Sequence, residues 1–331
     1  MKKVLTISVA AYNVEDYLDE ALDSCVISEF MDELEVIVVN DGSKDNSVDI
    51  ARKYTQLYPN TFKLIDKDNG GYGTTVNASL SVATGDFFRL LDGDDWFVKD
   101  GLVQVISTLK KCKSDVVVLP YYKGETLDKL EKTEYAECHS QKQCKVSDLR
   151  NKYLLPNTAI IYRTSVIKES GLQLPSHMLY TDQLYCTIPF SAAETVEFYN
   201  IPLYCYRLNR DEQSVSKKSR MKNVDMAIEI CYMLCDYAKS MENNKNYSYI
   251  MHRVAAYYAA AIRTLLLFPV SKKTLNQIKE CETRVANISS DVYKDVCTVG
   301  KVGILLLIWR KTGYITYWIM KLFAGKIQSW A

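Results

Sequence analysis

Asp92-Gly93-Asp94-Asp95 places three carboxylates directly after the apolar run Phe87–Leu91. Two carboxylates one residue apart at a strand end can turn to the same side when a glycine between them lets the chain bend. Hard oxygen ligands in that arrangement suit Mg²⁺ or Mn²⁺, which keep some waters and accept phosphate oxygens from a substrate. Asp41 follows a second apolar run, Leu34–Val39, and adds an acid to the same set. The plainer reading is an acidic turn in which Asp94 or Asp95 caps the next helix. A lone Asp-x-Asp triplet is a frequent chance match, so the strand before it and the acid on a neighbouring strand end carry the weight. A calcium loop over Asp41–Arg52 fails, because Asn46 and Arg52 stand where such loops need Gly and Glu.

The elements that must position these acids alternate between two periods. Val4–Val9, Leu34–Val39, Phe62–Ile65 and Phe87–Leu91 are short and apolar. Between them lie helical stripes, one through Tyr17, Leu18, Ala21, Leu22 and Cys25 and another through Val48, Ile50, Ala51, Tyr54 and Leu57. This alternation predicts βαβ crossovers and a mostly parallel sheet with helices on both faces, whose ligands bind beyond the carboxyl ends of the strands. Those ends carry Ala11-Tyr12-Asn13-Val14-Glu15, Asn40-Asp41-Gly42-Ser43, Asp66-Lys67-Asp68-Asn69-Gly70-Gly71 and Asp92-Gly93-Asp94-Asp95. Clustered acids repel one another, which calls for a cation or for donors from a ligand. Further on, a helix is expected over Gly101–Leu109 and strands at Asp115–Leu119, Asn157–Tyr162 and Thr195–Tyr199, with a helix over Asp182–Ala193. Residues 121–152 are charged and aperiodic and read as an insertion or irregular subdomain, and from about Ser219 the pattern becomes long helices, Met226–Ala238, Tyr249–Leu267 and Leu275–Val285.

Composition narrows the function class. The chain of 331 residues has length for about two domains. Its 41 basic and 40 acidic residues leave a net charge of +1, which argues against a protein that coats nucleic acid. Ten cysteines without a CxxC pair and three scattered histidines argue against a structural zinc site, and the thiols read as reduced and cytoplasmic. No leader is expected, since Met1–Ala10 runs straight into a strand. Val302–Trp309 is too short to span a bilayer, and Arg263 interrupts Ala255–Phe268.

Four strings in order, Leu5-Thr-Ile-Ser-Val-Ala-Ala-Tyr-Asn13, Val38-Val-Asn-Asp-Gly-Ser43, Asn69-Gly-Gly71 and Ala83-Thr-Gly-Asp-Phe-Phe-Arg-Leu-Leu-Asp-Gly-Asp-Asp95, resemble the family 2 glycosyltransferases of GT-A fold. The likeness is dense over the first hundred residues and sparser to about residue 216. It implies a catalytic domain over 1–216, with a nucleotide-sugar half over about 1–100 and an acceptor half over about 101–216, followed by a helical region over 217–331. It also implies donor contacts from Ala10, Ala11, Tyr12, Glu15, Asp41, Gly70, Gly71, Asp92 and Gly93, with Asp41 on the base and the metal on Asp92 and Asp94. The implied reaction is inverting transfer of one sugar, from a UDP-sugar by preference, to a glycan or lipid-linked acceptor of a bacterial capsule or exopolysaccharide.

The family's base stands in a Glu-Asp pair heading a helix, which Thr181-Asp182 matches; Asp182 is thus the implied base, against the reading that it only caps the helix. Two departures stand out. Ala10 replaces a usual Pro, and Val76 replaces an Arg before Asn77, so Lys67, Arg89 or the Gly70–Thr74 amides must hold the diphosphate. Arg207 either contacts the diphosphate or pairs with a carboxylate, and Trp96 either stacks on an acceptor sugar or packs. The segment Gln213-Ser214-Val215-Ser216 also resembles the family's trailing segment.

Residues 302–323, apolar, aromatic and basic with no acid after Asp295, either lie peripherally on the inner face of the plasma membrane or pack on the protein or in a homodimer. A nicotinamide enzyme lacks its GxGxxG after the first strand, and a pyrophosphorylase its Gly- and Arg-rich loop there. A processive synthase lacks its QxxRW motif and spanning helices. A catalytically degenerate sugar- or nucleotide-binding scaffold is the alternative.

Overall fold

The computed structural model describes residues 2–124, 129–150, 152–208 and 216–323, with side chains to residue 319. Gln213, Ser214, Val215 and Lys326 therefore lie outside the described residues. The chain divides into two compact units, Met1–Val146 with Leu155–Arg210, and Ser147–Leu154 with Asp211–Ala331.

The first unit begins with β1 (Leu5–Ala11), α1 (Glu15–Asp23), β2 (Leu34–Asp41), α2 (Ser47–Leu57), β3 (Phe62–Lys67), α3 (Tyr72–Val82) and β4 (Phe87–Asp92). Then come β5 (Trp96–Phe97), α4 (Lys99–Leu109), β6 (Val116–Val118), β7 (Tyr121–Gly124), β8 (Glu131–Thr133) and β9 (Gln143–Lys145). The unit closes with β10 (Ile160–Arg163), α5 (Thr164–Glu169), α6 (Asp182–Tyr185), β11 (Thr195–Phe198) and β12 (Tyr204–Arg207). The main sheet runs β3-β2-β1-β4-β10-β6-β11-β9, and its first four strands are parallel. β10 is antiparallel to β4 and β6, so the sheet is mixed.

Alternation along β1 explains why both faces are covered. Leu5, Ile7 and Val9 join Leu18, Ala21 and Leu22 of α1 in one apolar cluster. Ser8, on the opposite face, meets Ser79 of α3 with hydroxyls 2.6 Å apart. Strands buried on both sides read as near-continuous apolar runs, which is why β1, β2 and β4 were legible.

Residues 121–152, expected as an insertion or irregular subdomain, contain more regular structure than that reading allows. They hold β7, β8 and β9, and β7 and β8 build a second sheet of order β5-β12-β7-β8. β8 is an exposed edge strand of sequence Glu-Lys-Thr, where charge guards an open edge rather than marking a loop. The helix expected over Asp182–Ala193 also divides: α6 ends at Tyr185 and a 3₁₀ turn covers Ile188–Ser191, with Pro189 lacking the N–H a continuing helix needs.

The second unit is helical: α7 (Lys217–Lys222), α8 (Val224–Ser240), α9 (Tyr247–Leu265), α10 (Lys272–Ile288), α11 (Ser290–Asp295) and α12 (Gly300–Lys311), then a 3₁₀ segment Ile315–Phe323. Ser271 caps α10 by accepting from the Thr274 amide. Within this unit Asp295 takes the guanidinium of Arg150 at 2.8 Å and lies 2.7 Å from His252 Nδ1. No described helix is long and apolar enough to cross a membrane.

Candidate active site

The carboxyl ends of β1, β2 and β4 form one edge. β1 lies between the other two, and Ala10 stands opposite both Val39 and Asp92. The Gly93 amide donates to the Ala10 carbonyl at 3.0 Å, and a Cβ on Gly93 would sit 2.6 Å from that oxygen. Only glycine permits the approach, and the turn it allows brings Asp92, Asp94 and Asp95 oxygens within 4.8 Å of one another. The turn does not cap α4, whose N-cap is Val98 with no side-chain bond.

The three acids are not equivalent. Asp95 is fully engaged, accepting from the Tyr204 hydroxyl at 2.6 Å and the Arg207 amide at 2.8 Å. Burial, and then the Asp92 charge, push its carboxyl up to about 8. Asp92 receives the Tyr72 hydroxyl, while its Oδ1 is buried with no hydrogen-bond partner. Burial raises Asp92 above the usual carboxylate range. A buried, unpartnered anionic oxygen beside a second carboxylate is the donor set a hard divalent cation fits.

Asp41 lies two strands from Asp92, roughly 10 Å across the sheet by ordinary strand spacing. All its acceptor capacity is used: Lys67 Nζ (2.5 Å) and the Gly70 amide (2.9 Å) on Oδ1, the Gly71 amide (2.8 Å) and Asn69 Nδ2 (3.2 Å) on Oδ2. Asp41 thus shapes the glycine loop that leads into α3. Gly71 takes a φ of +84°, and a Cβ there would lie 3.2 Å from the His177 amide nitrogen. Tyr12 stands 51% exposed at the end of β1. Glu15 Oε2 accepts from both the backbone amide (2.8 Å) and side chain (2.6 Å) of Asn46, joining the loop after β1 to the loop after β2.

Asp182 opens α6 and is not its N-cap; that position is Thr181, which makes no capping bond. The Asp182 carboxylate accepts from Gln183 Nε2 at 2.7 Å. Burial raises it above the ordinary range, and the nearby Asp92 charge raises it further. The segment leading to it is tied to the glycine loop: the His177 amide donates to Gly70 O at 2.6 Å, and Asn77 brackets the Leu174 backbone at 2.8 and 3.0 Å.

Several sequence expectations change here. Arg89 cannot replace an arginine at Val76, because it is completely buried and donates to the carbonyls of Ile160 (3.0 Å) and Thr158 (2.6 Å). Arg207 pairs with Glu20 at 2.5 Å, donates to Asp94 O at 2.9 Å and stacks 4.5 Å over Trp96. Trp96 is 5% exposed and is a packing residue. Lys67 holds Asp41 and Thr74. Sequence reasoning missed Tyr72, Asn77 and Tyr204. Of these only Tyr72, an aromatic between glycines at a helix start, carries a local signal.

The family profile described as Glycosyl transferase family 2 matches residues 6–171. The chain belongs to that family. Among its relatives, EpsH of Bacillus subtilis (strain 168) is 31% identical over 215 residues, 62% of this chain and 61% of EpsH. TarS of Staphylococcus aureus (strain Mu50), described as a poly(ribitol-phosphate) beta-N-acetylglucosaminyltransferase, is 27% identical over 64% of this chain and 36% of its own length. This chain therefore spans about three-fifths of EpsH and about a third of TarS. The crystal structure of S. aureus TarS 1–349 with UDP-GlcNAc matches with a TM-score of 0.69 at 20% identity, over 98% of this chain and 90% of that one. The mannosyltransferase PcManGT from Pyrobaculum calidifontis, with GDP-Man and Mn²⁺, matches at 0.55 and 15%, over 93% and 87%. The fold of this family 2 chain is thus the GT-A arrangement, followed by helices.

Proposed function

We propose that this chain moves one sugar from a UDP-sugar to a hydroxyl of a glycan or lipid-linked acceptor in surface polysaccharide synthesis, with inversion at the anomeric carbon. The observation that carries this reading is the glycine turn that draws the Asp92, Asp94 and Asp95 oxygens within 4.8 Å of one another at the carboxyl edge of the sheet, with Asp92 Oδ1 buried and without a hydrogen-bond partner. The Asp92 charge adds to the burial that raises Asp182. The likeness to TarS, crystallised with UDP-GlcNAc, supports a UDP-sugar as donor.

In this scheme Asp182 takes the proton of the acceptor hydroxyl as its oxygen attacks the anomeric carbon. The bond from that carbon to the phosphate oxygen breaks, and nucleoside diphosphate leaves. A carboxyl raised by burial is a better base near neutral pH than an ordinary one. Asp92 and Asp94 would hold Mg²⁺ or Mn²⁺, which when bound supplies positive charge against the leaving diphosphate. Ala10, Ala11, Tyr12, Glu15, Gly70, Gly71, Asp92 and Gly93 line the donor side. Asp41 would reach a base N–H by exchanging one of its present donors, Lys67 or Asn69.

The test is release of UDP from a panel of UDP-sugars with Mn²⁺, with Mg²⁺ and with chelator. Asp182→Asn should keep the donor-induced rise in melting temperature and lose transfer. Retained turnover removes Asp182 from the role. Silence of the native chain with every donor and acceptor supports a degenerate scaffold instead.

A further inference from the structure

The second unit ends in two elements that each bury one side and leave the other open. On α12, Val302, Leu306 and Trp309 are buried, and Arg310 points to the buried Glu282 at 2.6 Å. At 100° per residue the exposed side chains Lys301, Ile304, Leu307, Ile308 and Lys311 fall within an arc of about 120° on the other side. Ile304, Leu307 and Ile308 are 57%, 38% and 43% exposed. In the following 3₁₀ segment Tyr317 is buried while Ile315, Trp318 and Ile319 are 75%, 41% and 50% exposed. Residues i and i+3 eclipse in that geometry, so Ile315 and Trp318 share a face.

Charge identifies the occupant. An exposed lysine stands at each end of the α12 stripe, and the sequence has no acid after Asp295 but five cations, Lys301, Arg310, Lys311, Lys321 and Lys326. Packing two copies of α12 antiparallel about a two-fold axis would set Lys301 against Lys311 of the copy, a like-charge contact. An acidic polymer would meet the exposed lysines and leave the isoleucines wet. A surface that is apolar beneath and anionic above suits both the charge and the apolar stripe. With 12 residues, α12 spans about 18 Å, which is too short to cross a bilayer but suits lying in its interface.

We propose that this face docks peripherally on an anionic lipid bilayer. Ile304, Leu307, Ile308, Ile315, Trp318 and Ile319 enter the headgroup–acyl boundary, and the bracketing lysines meet lipid phosphates. The proposal goes beyond the transfer reaction and needs no nucleotide sugar, so its failure and the failure of the transferase reading are read separately.

The test is co-sedimentation of the full chain with vesicles of phosphatidylcholine alone and of phosphatidylcholine with phosphatidylglycerol. Binding should require phosphatidylglycerol, weaken with salt, and fall about tenfold or more in K301E/K311E. I304Q/I308Q and, independently, I315Q/W318Q should lower it by a similar factor on both sides of any salt change, since they remove apolar contact. Melting temperature and UDP release should stay at native values in all three, which separates lost docking from lost folding. Native protein that fails to sediment with phosphatidylglycerol vesicles overturns the proposal. Variants that bind as well as the native chain overturn it too, as does a dimer in analytical ultracentrifugation that I304Q/I308Q dissolves in a chain that ignores vesicles.

Discussion

Two groups of acids, buried in the helical unit and half-buried in the first, keep different company. In the helical unit Glu282 accepts from Arg310 and from the hydroxyls of Tyr258 and Tyr314, and Asp295 from Arg150 and the His252 side. In the first unit burial raises both Asp92 and Asp182, the Asp92 charge raises Asp182 further, and no lysine or arginine forms an ion pair with either among the described residues. Buried charge is costly unless compensated, so the first arrangement holds structure together and the second waits for compensation from outside. A site that is incomplete by itself is one that binds, whereas a completed one is scaffolding.

This contrast can be broken in order of expected effect. Asp182→Asn should lower kcat by roughly 10²- to 10⁴-fold, the range of a general base, with donor affinity unchanged in a binding titration. A loss confined to KM would show that Asp182 binds rather than takes a proton. In the other unit, Arg310→Met leaves Glu282 buried beside neutral partners and should cost about 3–5 kcal/mol in denaturant unfolding of the transition that reports the helices. Replacing both members, as in E282L/R310M, should cost much less. An equal loss in the double variant would mean that the pair is not what Glu282 contributes.

Asn77→Ala removes both bonds to the Leu174 backbone and should cost about 1–3 kcal/mol of stability while lowering kcat, because it frees the segment that leads to Asp182. Unchanged kcat with lowered stability would confine Asn77 to folding. The pH responses of the two groups should fall on opposite sides of the ordinary carboxylate value, both being lost as pH falls. Asp182 is raised, so its base form is lost as pH falls from above the ordinary carboxylate value of 3.8, and the acid limb of kcat/KM should lie above that value. Asp295 is lowered despite burial, through His252 and Arg150, so its stabilisation is present above 3.8 and lost as pH falls through its folded value. Melting curves of native chain and Asp295→Asn should therefore converge only below that range, the smallest of these effects.

Local residue pattern encodes the strands, the long helices and one turn of this chain. The runs of β1, β2 and β4 specify strands buried on both faces, and their ends then place Asp41 and Asp92 on a shared edge. The three long helices after residue 219 follow from their period in the same way, each being found within a few residues of its expected span. Gly93 next to two aspartates announces a turn. The partner that each side chain meets is fixed only by folding. Tyr204 and Arg207 reach Asp95 across more than a hundred residues, Arg89 turns into the core, Asp41 closes on its own glycine loop, and β7 becomes a strand because β12 lies beside it. Periodicity reports a residue's own backbone and face, whereas hydrogen-bond partners and strand pairing are set by contacts whose sequence separation leaves no trace in the local pattern.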